Sequence, residues 1–220
     1  SQEISPDTDQ LGAFIAYTPL HWLLMQEMNR PLICTSGNLS SEPICIDETD
    51  ALERLKTIAD LFLSHNRPIL RMVDDSVVQI IQVLEKNHQE KTQVIRRARG
   101  FAPETLQNHA ELNPSKSLLA LGGHLKNTFA LSHRGEIIVS QFFGDLNHAK
   151  SRQHQRQNLQ QLQSILAFKP DHILCDQHPD YASSLLAEEI AQQEGVPVST
   201  VQHHQAHILA CLLYTSPSPR

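Results

Sequence analysis

The stretch Leu118-Leu119-Ala120-Leu121-Gly122-Gly123-His124-Leu125-Lys126-Asn127-Thr128-Phe129-Ala130-Leu131-Ser132-His133-Arg134-Gly135-Glu136-Ile137-Ile138-Val139 decides how this chain is read. Three apolar runs alternate with two turns. Leu118 to Leu121, Thr128 to Leu131 and Glu136 to Phe142 read as strands, with Ser132-His133-Arg134-Gly135 turning between the last two. Strands at hairpin spacing predict an antiparallel meander.

Downstream, the period changes from two to 3.6. A long helix is predicted over Ala149 to Leu166, with Leu159, Leu162, Ile165 and Leu166 on one side. A strand (His172 to Cys175), a helix (Tyr181 to Gln193), a strand (Val196 to Val201) and a helix from about His204 follow. The order β-β-β-α-β-α-β-α is that of a ribonuclease-H-like lobe, as in actin- and sugar-kinase-type ATPases. In such lobes the first hairpin can cradle phosphates. Here that hairpin carries Gly122-Gly123-His124-Leu125-Lys126-Asn127-Thr128. Two glycines permit close backbone approach and Lys126 supplies a cation, although no Walker pattern is present.

The last strand runs into Gln202-His203-His204-Gln205-Ala206-His207. On a helix His203 and His207 lie four apart on one face, a spacing at which two imidazoles reach one metal ion. Thirteen histidines in 220 residues also make some clustering expected by chance.

Upstream, Thr18-Pro19 opens a helix with a hydroxyl cap and Pro at its first position, and Leu20, Leu23, Leu24 and Met28 give it an apolar face. Leu32-Ile33-Cys34 reads as a short buried strand. It enters Thr35-Ser36-Gly37-Asn38-Leu39-Ser40-Ser41-Glu42-Pro43, a loop dense in hydroxyls that suits a small anion or forms a plain polar turn. A helix is predicted over Asp47 to Ala59, then extended pieces around Leu61 to Ile69. Val73-Asp74-Asp75-Ser76-Val77-Val78 either binds a metal–nucleotide, orients a base, or is a solvated turn. Val77 to Val83 and Thr92 to Ile95 form a hairpin joined by a polar loop. It ends in Arg96-Arg97-Ala98-Arg99-Gly100, a cationic patch suited to phosphate or carboxylate. Residues 108–116 are polar and read as a linker between domains 1–107 and 117–213.

Composition sets the outer bounds. The net charge of −6 argues against a broadly basic nucleic-acid surface. Four cysteines form no C-x-x-C pair, and three sit in apolar stretches, so they read as small buried hydrophobes in a reducing compartment. No signal segment or bilayer-length apolar run occurs, and the cytoplasm is the expected compartment.

In order along the chain, Thr35-Ser36-Gly37-Asn38-Leu39-Ser40, Glu42-Pro43-Ile44, His65-Asn66-Arg67-Pro68-Ile69, Val73-Asp74-Asp75-Ser76-Val77-Val78 and Arg96-Arg97-Ala98-Arg99-Gly100-Phe101-Ala102-Pro103 resemble the YrdC-like domain of HypF-type carbamoyltransferases. In the second half, Leu121 to Thr128, Ser140-Gln141 with Gly144-Asp145-Leu146, Cys175-Asp176 with His178-Pro179-Asp180-Tyr181, and Val201 to His207 resemble that family's TsaD-like domain. The resemblance covers about residues 11 to 213. The fold it implies is α/β: the C-terminal portion of a YrdC-like domain, then a ribonuclease-H-like lobe.

The resemblance implies ATP-dependent carbamoyl transfer from carbamoyl phosphate, through a carbamoyl-adenylate, to the C-terminal cysteine of HypE, for the cyanide ligand of [NiFe]-hydrogenase. From charge and apolar run length, no nucleic-acid or membrane partner is expected. Carried onto this sequence, Thr35, Ser36, Asn38 and Ser40 hold adenylate phosphate or carbamate, and Arg67, Arg96, Arg97 and Arg99 neutralise phosphate charge. Asp74, Asp75 and Ser76 join that site. Lys126 and Asp145 are the catalytic candidates, and Asn127 and Thr128 contact nucleotide phosphate with Lys126. His203 and His207 become ligands of a divalent metal, zinc or iron, beside Mg2+ carried with ATP.

The family's acylphosphatase and zinc-finger segments, and the further carboxylate ligand and nucleotide glycines of TsaD-like proteins, have no counterpart in these residues. The chain is therefore expected to be an incomplete fragment that is inactive by itself, and residues 214–220 a tail foreign to the family. Two alternatives stand: a threonylcarbamoyl-adenylate enzyme for tRNA modification, and a non-catalytic module that docks a partner peptide.

Overall fold

The computed structural model describes residues 10–40, 42–82, 90–106 and 113–215. It divides into two compact units, Ser1–Ser36 and Gly37–Arg220.

In the first unit α1 spans Pro19–Met28. Thr18 caps it as predicted, its hydroxyl accepting from His21 N at 3.2 Å, and Asn29 ends it in the left-handed region (φ 44°). The predicted strand at Leu32-Ile33-Cys34 is absent, and Ile33 and Cys34 are exposed. An apolar triplet becomes a strand only where a neighbour completes its hydrogen-bond ladder, and no strand is found among the described residues of this unit.

In the second unit α2 spans Glu48–Leu55, shorter than predicted, with Asp47 capping it through Asp50 N. Leu61 to Ile69 forms no strand and is exposed throughout. β1 (Val77–Gln82) and β2 (Glu90–Arg96) pair antiparallel as the predicted hairpin, whose connecting loop lies mostly outside the described residues. β3 (Glu104–Leu106) follows, then β4 (Leu118–Ala120), β5 (Ala130–His133), β6 (Glu136–Val139), α3 (Ala149–Leu166), β7 (His172–Asp176), α4 (Ala182–Glu194), β8 (Val198–Val201) and α5 (His203–Thr215).

Strands β3 to β8 form one sheet in the order β3-β6-β5-β4-β7-β8. The meander β4-β5-β6 is antiparallel, and β7 and β8 add parallel to β4. Counted from β4 the order is 3-2-1-4-5, the ribonuclease-H-like arrangement that the element order predicts. β3 is an unforeseen edge strand: Glu104–Leu106, read as the end of the first domain, hydrogen-bonds to β6. Of the proposed linker, residues 108–112 lie outside the described residues. Asn113 then closes a turn through Ser115 N, and Ser117 N is held by Asp171. Helix α5 continues through Thr215, beyond the predicted break, and 216–220 lie outside the described residues.

The core lies between this sheet and α3 and α4, with Leu119, Leu121, Phe129, Leu131, Phe143, Leu159, Ile173 and Ala187 nearly water-free. Each buried Leu, Ile or Phe contributes about 1.5–3 kcal/mol. The apolar face predicted for α3 holds except at Ile165, with Leu166 half-buried against the core. Leu159 and Leu162 are buried, Ile165 is exposed, and Ser151, Gln155 and Asn158 turn inward as well.

The Arg96–Arg99 end of the hairpin is fastened to this lobe. Phe142 N donates to Arg97 O at 2.9 Å, and Gln141 Nε2 donates to Met72 O. No helix among the described residues is long and apolar enough to cross a membrane.

Candidate functional site

The glycine loop between β4 and β5 is built around Asn127. Its Nδ2 donates to Leu121 O (2.9 Å) and Gly123 O (2.6 Å), and its Oδ1 accepts from Gln155 Nε2 (2.8 Å). Its side chain is buried and its hydrogen-bonding groups are engaged inside the fold, so it braces the loop and offers nothing to a ligand. Gly122 sits at φ +66°, and a Cβ there would lie 2.2 Å from Thr128 O, which only glycine avoids. Lys126 is also left-handed (φ 49°) and exposed. Its backbone N–H, not its ammonium, donates to Asp145 Oδ1 at 2.9 Å. The two catalytic candidates therefore meet, at the mouth of the loop, with Thr128 half-buried behind them.

The first turn of α5 faces the same loop. A Cβ on Gly123 would come 3.3 Å from His203 Cε1. His203 Nδ1 lies 2.7 Å from Asp176 Oδ2, and His203 Nε2 lies 3.0 Å from His207 Nε2, with the rings edge to face. Asp176, at the end of β7, is reached because β7 and β8 run parallel with Asp176 opposite Val201, two residues before His203. Burial pushes the Asp176 carboxyl up. The His178 backbone N–H and the His203 imidazole outweigh that, and its pKa lies below the ordinary aspartate value. Asp176 therefore presents a carboxylate, which can only accept.

The donor set suits a borderline divalent cation. Two imidazole nitrogens on a tetrahedral ion at 2.0–2.1 Å stand ~3.3 Å apart, close to the observed separation. Among the described residues no cluster of three or more metal-ligating side chains is found, so the pair could supply two ligands.

Between loop and helix stands a ring stack that sequence reasoning assigned no role. Tyr181 lies between His178 (4.2 Å, nearly parallel) and His124 (5.2 Å). Ala182 N, at the start of α4, donates to His124 Nδ1 at 3.1 Å, so His124 carries its proton on Nε2 and gives it to Asn147 Oδ1 at 2.8 Å. A histidine next to a glycine pair is the visible signal. Its partners are 23 and 58 residues away.

The residues proposed for the first site divide. Asp74-Asp75-Ser76 and Arg97-Ala98-Arg99 run side by side, with Ser76 Oγ accepting from Ala98 N and donating to Arg99 O, both at 2.8 Å. Arg99 pairs with Asp75 at 3.1 Å. Arg97 is drawn inward to Phe101 O and Glu104, which spends it on structure. Arg96 lies 5.0 Å over the Phe142 ring. Burial pushes the Asp74 carboxyl up and nearby Asp75 adds to this, with Arg96 opposing. Arg67 and Ser40 are exposed. Asn38 donates to Leu39 O while its buried Oδ1 has no hydrogen-bond partner among the described residues. Thr35 and Ser36 are exposed in the first unit. Of the cysteines, Cys175 is buried as predicted, Cys45 is half-buried and Cys34 is exposed, since its expected strand does not form.

Two family models match. The HypF Kae1-like domain matches residues 113–213, and the Sua5/YciO/YrdC model, described as telomere recombination, matches residues 1–98. The chain is 45% identical over 213 residues to carbamoyltransferase HypF of Synechocystis sp., covering 96% of this chain and 26% of the relative. It is 38% identical to carbamoyltransferase HypF of Rhizobium leguminosarum bv. viciae, covering 94% and 26%. A crystal structure of full-length HypF in the phosphate- and nucleotide-bound form superposes with a TM-score of 0.79 at 37% identity, covering 92% of this chain and 30% of that one. The chain thus spans about a quarter of the length of the curated relatives it matches. By its two halves in this order, and by its likeness to HypF in sequence and fold alike, the chain belongs to the HypF family of carbamoyltransferases.

Proposed function

We propose that this chain carries nucleotide- and carbamoyl-handling parts of an ATP-dependent carbamoyltransferase that takes carbamoyl phosphate through a carbamoyl-adenylate to the C-terminal cysteine of HypE, in the cytoplasm, for hydrogenase maturation. In this reading residues 1–107 form the YrdC-like part. There Asn38, Asp74, Arg96 and Arg99 face adenylate and carbamate, with Arg67 and Ser40 beside them. Residues 117–213 form the second part, where the glycine loop with Lys126 receives nucleotide phosphate and Asp145 holds the loop mouth. His203 and His207 hold a divalent cation through Nε2, which supplies a positive charge to a phosphate or carbamoyl oxygen when bound.

The observation that supports this best is the meeting of Gly123 with His203, which brings an anion-type loop and a cation-type donor pair within one contact distance.

ATP–pyrophosphate exchange tests it, run on the chain and on a HypF protein of the relatives' length carrying this sequence. Exchange that depends on carbamoyl phosphate in the longer protein, with little in the chain alone, is the expected result. Dependence on threonine and bicarbonate would instead favour threonylcarbamoyl-adenylate synthesis.

A further inference from the structure

We propose that Asp176 is a positioning residue for the cation site: it fixes His203 as the tautomer that keeps Nδ1 protonated and leaves Nε2 open to a metal ion. The inference rests on the reading that His203 and His207 hold that ion.

The chain of contacts is short. Asp176 Oδ1 accepts from His178 N at 2.9 Å and its backbone carbonyl accepts from Ser184 Oγ at 2.9 Å. The side chain is only 7% exposed, so its rotamer is set by β7 and the turn after it. Its remaining oxygen, Oδ2, meets His203 Nδ1 at 2.7 Å. A carboxylate only accepts, so the imidazole proton stands on Nδ1. Nε2 of His203 then bears a lone pair, and it points at His207 Nε2, 3.0 Å away. In the metal-free protein the proton bridging that gap belongs to His207. With a cation bound there, His207 would carry its proton on Nδ1 instead, and the Nε2 lone pairs of both rings would be free to hold the ion. Carboxylate–imidazole–metal relays of this kind raise ligand basicity and are worth about 10- to 100-fold in affinity.

Asp176→Asn separates positioning from mere folding. Its Oδ1 can still accept from His178 N, while its NH2 would face His203 Nδ1 and pull the proton over to Nε2. The experiment uses the full 220-residue chain. Long-range 1H–15N NMR reads the tautomer of His203 without metal, and Zn2+ titration reads affinity, with thermal melting as the folding control. The expected result is Nδ1–H in the native chain, Nε2–H in Asp176→Asn, and Zn2+ affinity lowered about 10- to 100-fold with an unchanged melt. Asp176→Glu restores both readouts at least in part. An Nε2–H tautomer in the native chain, or an Asp176→Asn chain with native tautomer and native affinity, overturns the inference. The underlying reading fails separately: Zn2+ binding that is absent, or indifferent to His203→Ala and His207→Ala, removes the metal site, while the tautomer measurement still decides what Asp176 does to His203.

Discussion

Oδ1 of Asn127 accepts a 2.8 Å hydrogen bond from Nε2 of Gln155, joining the glycine loop to the buried face of α3. Asn127→Ala would strand Gln155 and the carbonyls of Leu121 and Gly123 in a dry interior. Chemical denaturation should show a loss of about 3–5 kcal/mol, against about 1–3 for Gln155→Leu, which removes only one partner. A cost below 1 kcal/mol for Asn127→Ala would mean that the side chain does not brace the loop.

Gly122 and Gly195 share a left-handed backbone, at φ +66° and +69°, but not a neighbourhood. A Cβ at 122 meets Thr128 O, while one at 195 meets nothing within 4 Å. Gly195→Ala should cost about 1–2 kcal/mol, the backbone penalty alone. Gly122→Ala should cost about 3 kcal/mol or more, because the loop itself must move. Equal costs by urea melts would contradict the close approach.

Much of the lobe was legible because its elements announce themselves locally. Helix α3 begins and ends where its periodicity does, and Arg134-Gly135, at φ 53° and 84°, turns the β5–β6 hairpin as the sequence suggests. The misreadings have a common cause. Ile33 and Leu61 sit in apolar runs whose strand character depends on a partner elsewhere in the chain, and no local pattern supplies that. Gln155 and Asn158 look like solvent-facing residues until the loop carbonyls that need donors are seen. In the site, the His203–His207 spacing was readable because it is one helical turn. Asp176 was not, because it meets His203 only after β7 and β8 align.

Asp74 sets a pH test. Its folded pKa lies above the unfolded value, so its contribution to stability is fully present below the unfolded pKa, about 3.9, and is lost as pH rises through the folded value. At neutral pH the buried charge is a burden. Asp74→Asn should melt higher than the native chain at pH 7, and the difference should vanish near pH 3. A native chain that melts higher at pH 7 would show that the ionised carboxylate is stabilised.

The chain carries many exposed apolar side chains, including Phe14, Ile15, Trp22 and Leu23 in the first unit and Leu61, Leu63, Leu70 and Ile80 in the second. Surfaces of this kind associate in water. Sedimentation should show concentration-dependent self-association of the 220-residue chain. Trp22, the single tryptophan, should report it through a blue shift on association. A monodisperse monomer with unchanged emission across concentrations would refute this.

Gly123 and His203 are 80 positions apart, yet they share one choice. A methyl at 123 would press the imidazole and force it a few tenths of an ångström away from Asp176 or His207. Position 123 therefore cannot gain a side chain while His203 keeps its place. Among proteins with this lobe, a side chain at the position of Gly123 should occur together with a residue smaller than histidine at the position of His203, so that the loss of the imidazole proposed to hold a cation is inherited with the gain of one carbon atom.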